Sequence, residues 1–219
     1  MKPAILFTQS EQQLWLSPLK AIFWENRKTL ILSDLHFGKT GHFRKAGIAV
    51  PQDIYKNDLH RLFELVQFYQ PVKLIVVGDF FHSVENKEAD FFTKWRNDHF
   101  ALEIELVKGN HDIMPAEWYS KNNIHMHDNE YADGPFRFVH EWQEILQDSE
   151  NSFYISGHIH PGIRMSGLGR QSICLPCFYF EPNFAILPAF GGFTGLAIVS
   201  PTRSSRVFAI ANQEVITIQ

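Results

Sequence analysis

The side chains best suited to chemistry in this sequence are aspartate, asparagine and histidine residues that follow short apolar runs. They form the ordered series D-x-H, G-D, G-N-H-D, H and G-H-x-H, whose members are Asp34, His36, Asp79, Asn110, His111, Asp112, His140, His158 and His160. Carboxylate, amide and imidazole groups together suit Mn²⁺, Fe or Zn²⁺. A carboxylate in such a set can bridge two cations. The series therefore predicts a site for two divalent metal ions.

Each motif alone is weak evidence, because a single histidine on an apolar strand is more often a core residue than a ligand. The order of the whole series is the stronger signal. Every member stands at the end of a strand-like run and is followed by glycine or a loop. Five independent coincidences in one order are very improbable.

Short strands and two helices are the elements that must position these side chains. Five apolar runs end at the motifs: Lys28–Ser33, Lys73–Val77, Ile104–Val107, Phe136–Val139 and Phe153–Ser156. Helical spacing of apolar residues predicts helices over residues 51–70 and 88–100. The last third of the chain is nearly all β in character. Strands that alternate with helices and then continue alone favour two packed sheets with outer helices, and the carboxyl ends of such strands form binding crevices.

Composition limits the class of protein. The chain has 219 residues, 45% hydrophobic and 20% charged, which is ordinary globular usage and excludes a disordered chain. We expect one domain over residues 1–219, with an interior rich in its 20 phenylalanines. With a net charge of −4, binding of nucleic acid through general surface charge is not expected. No signal-peptide core or membrane-spanning run occurs in the sequence, so a cytoplasmic protein without membrane contact is expected.

Cys174 and Cys177 form a C-L-P-C motif. A zinc ribbon would need a second cysteine pair, and a redox motif would open a helix. Two reduced structural thiols are therefore the preferred interpretation.

The motif series resembles the signature of the calcineurin-like metallophosphoesterases. Further stretches resemble one subfamily, the bacterial ligase-associated DNA-damage-response endonucleases: SDLHFGK, FRKAGIAVP, GDFFHS, GNHD, GHIHPGIR, and LPCF followed by LPAFGGFTG. The resemblance implies an α/β (α+β) fold, a two-sheet αββα sandwich. It also implies an endonuclease that cleaves DNA phosphodiesters in a repair context, with Mn²⁺ as the expected metal and a DNA ligase and a helicase as partners.

The same resemblance implies roles for individual residues. The first metal would be held by Asp34, His36 and His160, and the second by Asn110, His140 and His158, with Asp79 bridging both. His111 would face the leaving oxygen. Many relatives have an aspartate three positions after the G-D motif, where this sequence has His82. His82 or Asp112 could therefore orient His111 instead.

Local cations are candidates for binding the substrate. Arg44 and Lys45 lie in the loop of residues 38–51, which is either an ordinary solvated loop or a flap that contacts phosphates. Arg164 follows the G-H-x-H motif and is a similar candidate. His125 and His127 form another H-x-H, and one of them could replace His140, but we interpret both as exposed strand positions.

Two other functions stay open at the level of sequence. The same site could hydrolyse a small nucleotide or another phosphoester. The fold could also serve as a non-catalytic protein-binding scaffold, although the complete set of ligand positions argues against that role.

Overall fold

Two mixed β-sheets and three α-helices make up the part of the chain described by the structure, a computed structural model. That part comprises residues 3–39, 47, 53–82, 87–143, 152–167 and 171–219. The first sheet is formed, in order, by β1 (Ile5–Gln9), β2 (Gln12–Ser17), β3 (Ala21–Trp24), β4 (Thr29–Leu32), β5 (Lys73–Val77), β6 (Glu103–Val107) and β7 (Ile124–His127). Strands β1 to β4 are antiparallel, whereas β4 to β7 are parallel, so the carboxyl ends of β4 to β7 share one edge.

The second sheet follows in sequence. Its strands are β8 (Glu130–Asp133), β9 (Phe136–Val139), β10 (Phe153–Ser156), β11 (Pro161–Ser166), β12 (Ser172–Phe180), β13 (Phe184–Ile186), β14 (Ala197–Ile198), β15 (Arg206–Ala211) and β16 (Glu214–Thr217). Their order is β14-β11-β12-β13-β10-β9-β8, with β15 paired to β12 and β16 paired to β15. Strand β10 is parallel to both of its neighbours, β9 and β13. The ends of β9 and β10 therefore also lie side by side.

The helices cover the outer face of the first sheet. They are α1 (Asp53–Tyr69), α2 (Lys87–Asp98) and α3 (Ala116–Lys121). Leu62 of α1 and Phe92 of α2 are fully buried in one cluster with Leu74 of β5 and Ile104 of β6. Helical spacing gives each long helix an apolar face, and that face is the one turned to the sheet.

The space between the sheets is filled by a second apolar cluster. Ile75 and Val77 of β5 alternate with the helix-facing residues, as the two-residue period of a strand requires. They meet a largely aromatic layer from the second sheet that includes Phe136, Phe178 and Phe180. The predicted phenylalanine-rich interior is therefore confirmed, and it fixes the two sheets against each other beneath the strand ends.

The predicted two-sheet sandwich is confirmed. The helix predicted over residues 51–70 is described from Asp53 to Tyr69, and the one predicted over 88–100 runs from Lys87 to Asp98. The long antiparallel pair β11–β12 was not predicted as a pair, because Gly162 lies opposite Pro176 and both residues usually break strands. No helix among the described residues is long and apolar enough to cross a membrane.

The two cysteines lie on β12. Both are free thiols, Cys174 exposed and Cys177 fully buried. Burial raises the pKa of Cys177 to about 12, so this thiol stays protonated at neutral pH. It packs with Tyr179 and Val207 on the outer face of the second sheet, which suits a structural role.

Candidate metal centre

The predicted ligands lie where the carboxyl ends of the two sheets meet. Asp34 follows β4, Asp79 follows β5 and Asn110 follows β6, so three neighbouring parallel strands deliver them to one edge. His140 follows β9 and His158 follows β10, two parallel neighbours of the second sheet. One backbone contact joins the two sets directly, because the His158 N–H donates to both carboxylate oxygens of Asp34, at 3.1 and 3.0 Å.

The backbone at these strand ends is left-handed. Five of the predicted ligands have positive φ angles between 50° and 68°: Asp34, His36, Asp79, His158 and His160. Non-glycine residues rarely adopt this conformation, which costs free energy and persists only where the surrounding structure holds it. The turn it imposes takes the chain out of the strand and directs successive side chains towards one point.

Hydrogen bonds between the loops stabilise these turns. The Asp34 N–H donates to the Gly78 carbonyl at 3.1 Å, and the His36 N–H donates to the Asp79 carbonyl at 2.9 Å. On the other side, the Gly191 N–H donates to the Asp34 carbonyl at 3.0 Å. The Asp34 loop is thus held between two neighbouring segments of backbone.

A first cluster of donor atoms comprises Asp34, His36 and His160, one atom from each lying within 4.8 Å of the others. The Nε2 atoms of His36 and His160 are 3.3 Å apart, and His160 Nε2 is 3.6 Å from Asp34 Oδ1. These three residues are the ones predicted to hold the first metal.

A second cluster comprises Asp79, His140 and His158, again with donor atoms within 4.8 Å of one another. His140 Nε2 lies 3.1 Å from His158 Nδ1 and 3.0 Å from Asn110 Oδ1. The structure thus brings Asn110 to this cluster as well. The grouping matches the set predicted for the second metal.

Asp79 joins the two clusters through the two oxygens of one carboxylate. Its Oδ2 lies 3.8 Å from His36 Nε2 of the first cluster, whereas its Oδ1 lies 3.5 Å from His140 Nε2 of the second. The side chain is almost completely buried. This is the geometry that a carboxylate between two cations requires.

The donor set fits two divalent cations. Without a cation between them, the negative charges of the buried carboxylates and the lone pairs of the facing imidazole rings would lie close together. Little would then offset the free-energy cost of burying them. Burial, followed by the positive charge of Lys39 and the neighbouring His160, lowers the pKa of His36 to about 2. The ring is therefore neutral at physiological pH and has a lone pair available for a metal.

Two glycines permit the close approach of the loops. A Cβ atom on Gly109 would lie 2.2 Å from Asp79 Oδ1, and one on Gly157 would lie 2.4 Å from Asp34 Oδ2. Any other residue at either position would displace a carboxylate of the centre. The G-N-H-D and G-H-x-H motifs therefore need their glycines for space.

His111 lies at the side of the centre. Its backbone N–H donates to Asp79 Oδ1 at 2.9 Å, and its ring centroid is 5.4 Å from that of His36. The ring of His82 lies against that of His111, with centroids 4.3 Å apart and an interplanar angle of 34°. His82 thus contacts the residue it was expected to help orient.

Asp112 has a different part in the structure. One carboxylate oxygen accepts hydrogen bonds from the Phe80 and Phe81 N–H groups, at 2.8 and 3.1 Å, and the other accepts one from the Gly109 N–H at 2.8 Å. Burial raises its pKa to about 7, although these hydrogen bonds act in the opposite direction. Asp112 therefore ties the loop after β6 to the loop after β5, a positioning role for the backbone that carries Asp79 and Asn110.

The predicted substrate cations are placed only in part. Arg164 is exposed on β11, four residues beyond His160. Arg44 and Lys45 lie outside the described residues, so their contribution stays a prediction.

Lys39, for which the motifs predicted no role, lies beside the centre. Burial lowers the pKa of its ammonium group, and the negative charges of Asp79 and Asp34 oppose that shift. The spacing D-x-H-x-x-K could have indicated this lysine, because the turn that follows His36 brings position 39 back towards the carboxylates. Lys39 adds a positive charge next to the metal ligands.

His125 and His127 do not join this centre. They lie on β7, where both interact with Glu105 of β6. Both are strand positions, as interpreted, but only His125 is exposed, because the side chain of His127 is half-buried, with 29% exposed. His140 occupies the place in the second cluster that either of them was considered for.

The family model of the calcineurin-like phosphoesterases matches residues 27–160, well over half of the chain. The crystal structure of Pseudomonas putida nuclease MPE is similar, with a TM-score of 0.82 and 29% identity over 98% of this chain and 100% of that chain. Yfce, a phosphoesterase from E. coli, has a TM-score of 0.43 and 14% identity over 86% and 96% of the two chains. No curated protein gives a significant sequence match.

Proposed function

Since the chain belongs to the calcineurin-like phosphoesterase family, we propose that it is a phosphodiesterase with two divalent metal ions that cleaves DNA. The observation that carries this proposal is the position of Asp79, whose two oxygens face separate clusters of donor atoms. The similarity to a nuclease over nearly the whole chain supports a polymeric substrate. Mn²⁺ is the proposed metal because the family resemblance implies it; the mixed oxygen and nitrogen ligands by themselves suit Mn²⁺, Fe or Zn²⁺.

The ligands divide between the two metals as the clusters do. Asp34, His36 and His160 would hold the first metal, Asn110, His140 and His158 the second, and Asp79 both. When bound, two such cations neutralise the non-bridging oxygens of a phosphodiester and supply an attacking water of lowered pKa. Asn110 contributes a neutral oxygen, so the second position keeps more positive charge than a further carboxylate would leave.

The remaining side chains act on the substrate. His111 donates a proton to the leaving oxygen, as a general acid at the side of the centre. The ring of His82 packs against His111 and restricts its orientation. Lys39 binds a phosphate oxygen, since its charge lies beside Asp34 and Asp79.

The substrate class is tested by a panel of phosphoesters with the metal-reconstituted protein. It comprises a supercoiled plasmid, single-stranded DNA, a cyclic dinucleotide, an aryl phosphodiester and an aryl phosphomonoester. We expect cleavage of DNA and of the aryl diester, loss of both with a chelator, and best recovery with Mn²⁺. Preferential hydrolysis of the cyclic dinucleotide or the monoester would favour the small-phosphoester alternative, and no turnover at all would favour the scaffold.

Contacts to DNA outside the metals are tested by removing local cations. Arg44, Lys45 and Arg164 are proposed to bind phosphates without reading sequence. The double change Arg44→Ala/Lys45→Ala should raise the KM for DNA and flatten its dependence on salt. Hydrolysis of the aryl diester should hardly change, because so small a substrate contacts only the centre. An equal loss of DNA cleavage and aryl diester hydrolysis would show that the loop stabilises the structure of the site rather than binding DNA.

A repair context is part of the proposal and depends on the motif resemblance. In that context the protein would act in the cytoplasm beside a DNA ligase and a helicase. Deletion of the gene should then increase sensitivity to DNA damage, and the Asp79→Ala variant should not restore resistance. Full resistance of the deletion strain would contradict this context but not the enzymatic activity.

A further inference from the structure

The two clusters joined by Asp79 are called the dinuclear centre below. A second group of metal-ligating side chains lies on two neighbouring strands of the first sheet, away from that centre. Glu103 and Glu105 are two residues apart on β6, and His125 and His127 are two residues apart on β7. Glu105 is the direct partner of His125 in the parallel ladder. The two-residue period therefore places all four on one face. We call these four residues the edge cluster.

The edge cluster lies where the space between the sheets opens to solvent. Val107, two residues after Glu105, is buried in the inter-sheet core, so the cluster is turned to the same side. Strand β7 is the last strand of the first sheet. The side chains of His125 and Glu103 are 58% and 46% exposed, which leaves an open path for an ion.

The donor atoms are close enough to share one ion. Ligand atoms of Glu103, Glu105 and His125 all lie within 4.8 Å of one another, and His125 Nδ1 is 3.0 Å from Glu105 Oε1. Tetrahedral ligands at the usual zinc distances are roughly 3.3 Å apart. The separations resemble those in the dinuclear centre, such as 3.1 Å between His140 and His158.

Glu105 is the buried anchor of the cluster, with 4% of its surface exposed. Its two carboxylate oxygens face different imidazole rings, Oε1 that of His125 and Oε2 that of His127. His127 Nε2 lies 2.5 Å from Oε2, so it fixes the carboxylate from the side opposite His125.

The surrounding charge favours a cation. Lys73 is 3.6 Å from Glu103 but lies closer to Tyr131 and Asp133, at 2.8 and 3.1 Å. Two carboxylates, Glu103 and Asp133, thus lie beside this ammonium group, and Arg27 approaches only Asp133, at 3.9 Å. With Glu105, three carboxylates stand against two cations, so a net negative charge remains when the imidazoles are neutral.

We propose that Glu103, Glu105 and His125 bind a divalent ion of the Zn²⁺ type, a third metal site separate from the dinuclear centre. One imidazole and two carboxylates suit such an ion, with water completing a tetrahedron. His127 orients Glu105 from outside the ligand set, as a hydrogen-bonded partner of a ligand commonly does. The ion would tie β7, the edge strand, to β6.

The experiment is a titration of the metal-free, full-length protein with Zn²⁺. Calorimetry should give three bound ions for the wild type and two for His125→Ala. His60→Ala is the matched control, because His60 is exposed on α1, and it should keep three. NMR of the imidazole nitrogens should show His125 shifting as Zn²⁺ is added. An equal number of ions in His125→Ala, or an unmoved His125 signal, would overturn the proposal and leave an ordinary hydrogen-bonded group.

Two further variants protect the test against a folding defect. Glu103→Gln alters a half-exposed side chain and should also bind two ions, while circular dichroism shows an unchanged fold. His127→Ala should keep the third site but weaken its affinity roughly 10–100-fold, the usual effect of removing a partner that orients a ligand. Three bound ions in Glu103→Gln would contradict the assigned ligands, and wild-type affinity in His127→Ala would contradict the orienting role of His127.

Discussion

The dinuclear centre and the edge cluster contain the same kinds of side chain but place them on the backbone in different ways. In the dinuclear centre the ligands stand on loops beyond the strand ends of both sheets. Five of those ligands, Asp34 among them, have a left-handed backbone. In the edge cluster all four residues lie within the regular strands β6 and β7 of one sheet.

The difference shows what each site requires from the rest of the fold. A left-handed non-glycine residue costs roughly 1–3 kcal/mol, so the dinuclear centre exists only because neighbouring loops hold it in place. Asp112, with three backbone hydrogen bonds, is one such support. The edge cluster needs only the correct register between two strands, so a change there should affect its ion without altering catalysis.

The largest effect is expected for Asp79→Ala. Removal of the shared carboxylate should release both catalytic ions and reduce DNA cleavage to background. The edge cluster should keep its affinity for Zn²⁺, because its donor atoms form a group separate from the one that contains Asp79. Metal content by mass spectrometry and a plasmid-nicking assay measure the two effects, with the exposed Asp128→Ala as control. Normal turnover with full metal content would exclude a bridging role.

His111→Ala should lower the rate roughly 10²–10⁴-fold, the usual range for loss of a general acid. Both catalytic ions should stay bound, since the ring is not among the donor atoms of either cluster. The loss should shrink for aryl diesters with acidic leaving groups, which need little protonation. A plot of rate against leaving-group pKa measures this, and equal losses across the series would instead assign His111 to positioning.

Gly157→Ala tests the support of the loop-borne centre. Its Cβ would lie 2.4 Å from Asp34 Oδ2 and 2.7 Å from the Cβ of Ser33. Overpacking of this kind typically costs roughly 1–3 kcal/mol, and the first cluster should bind its metal more weakly. Denaturant unfolding and metal titration measure the two effects. Gly195→Ala is the matched control, because its Cβ would meet nothing within 4 Å; an equal result in the two variants would contradict the close-packing argument.

The smallest effect on activity is expected for Glu105→Gln. In the metal-free protein, the charged Glu105 carboxylate accepts hydrogen bonds from His125 and His127. Their loss should lower the free energy of unfolding by roughly 1.5–3 kcal/mol at pH 7. The folded-state pKa of Glu105 lies below its ordinary value of 4.5. The stabilisation is therefore present above that value and is lost as the pH falls through the folded-state pKa.

Urea unfolding of both proteins at several pH values measures this dependence. The difference between wild type and Glu105→Gln should shrink in acid, while DNA cleavage at pH 7 stays close to normal. A difference that is independent of pH would show that the Glu105 carboxylate is not stabilised in its charged form.

Local patterns in the sequence were sufficient to predict most of the helices and strands. Helical spacing predicted α1 and α2 to within a few residues, and apolar runs predicted the five strands that end at the motifs. These features depend on side-chain period over short stretches, which the sequence records directly. Strands β11 and β12 were harder because glycine and proline interrupt their pattern.

The pairing of distant residues was decided only by the tertiary structure. His36 and His160 are separated by 124 positions yet lie 3.3 Å apart, and no local period encodes such a contact. The order of the motifs identified the metal ligands, but only through the resemblance to a known family. The opposed oxygens of Asp79, the contact of His82 with His111 and the position of Lys39 required the folded loops. His125 and His127 resembled a candidate ligand pair in the sequence, and the pairing of β7 with β6 gave them Glu105 instead, because a parallel ladder determines which side chains become neighbours across strands.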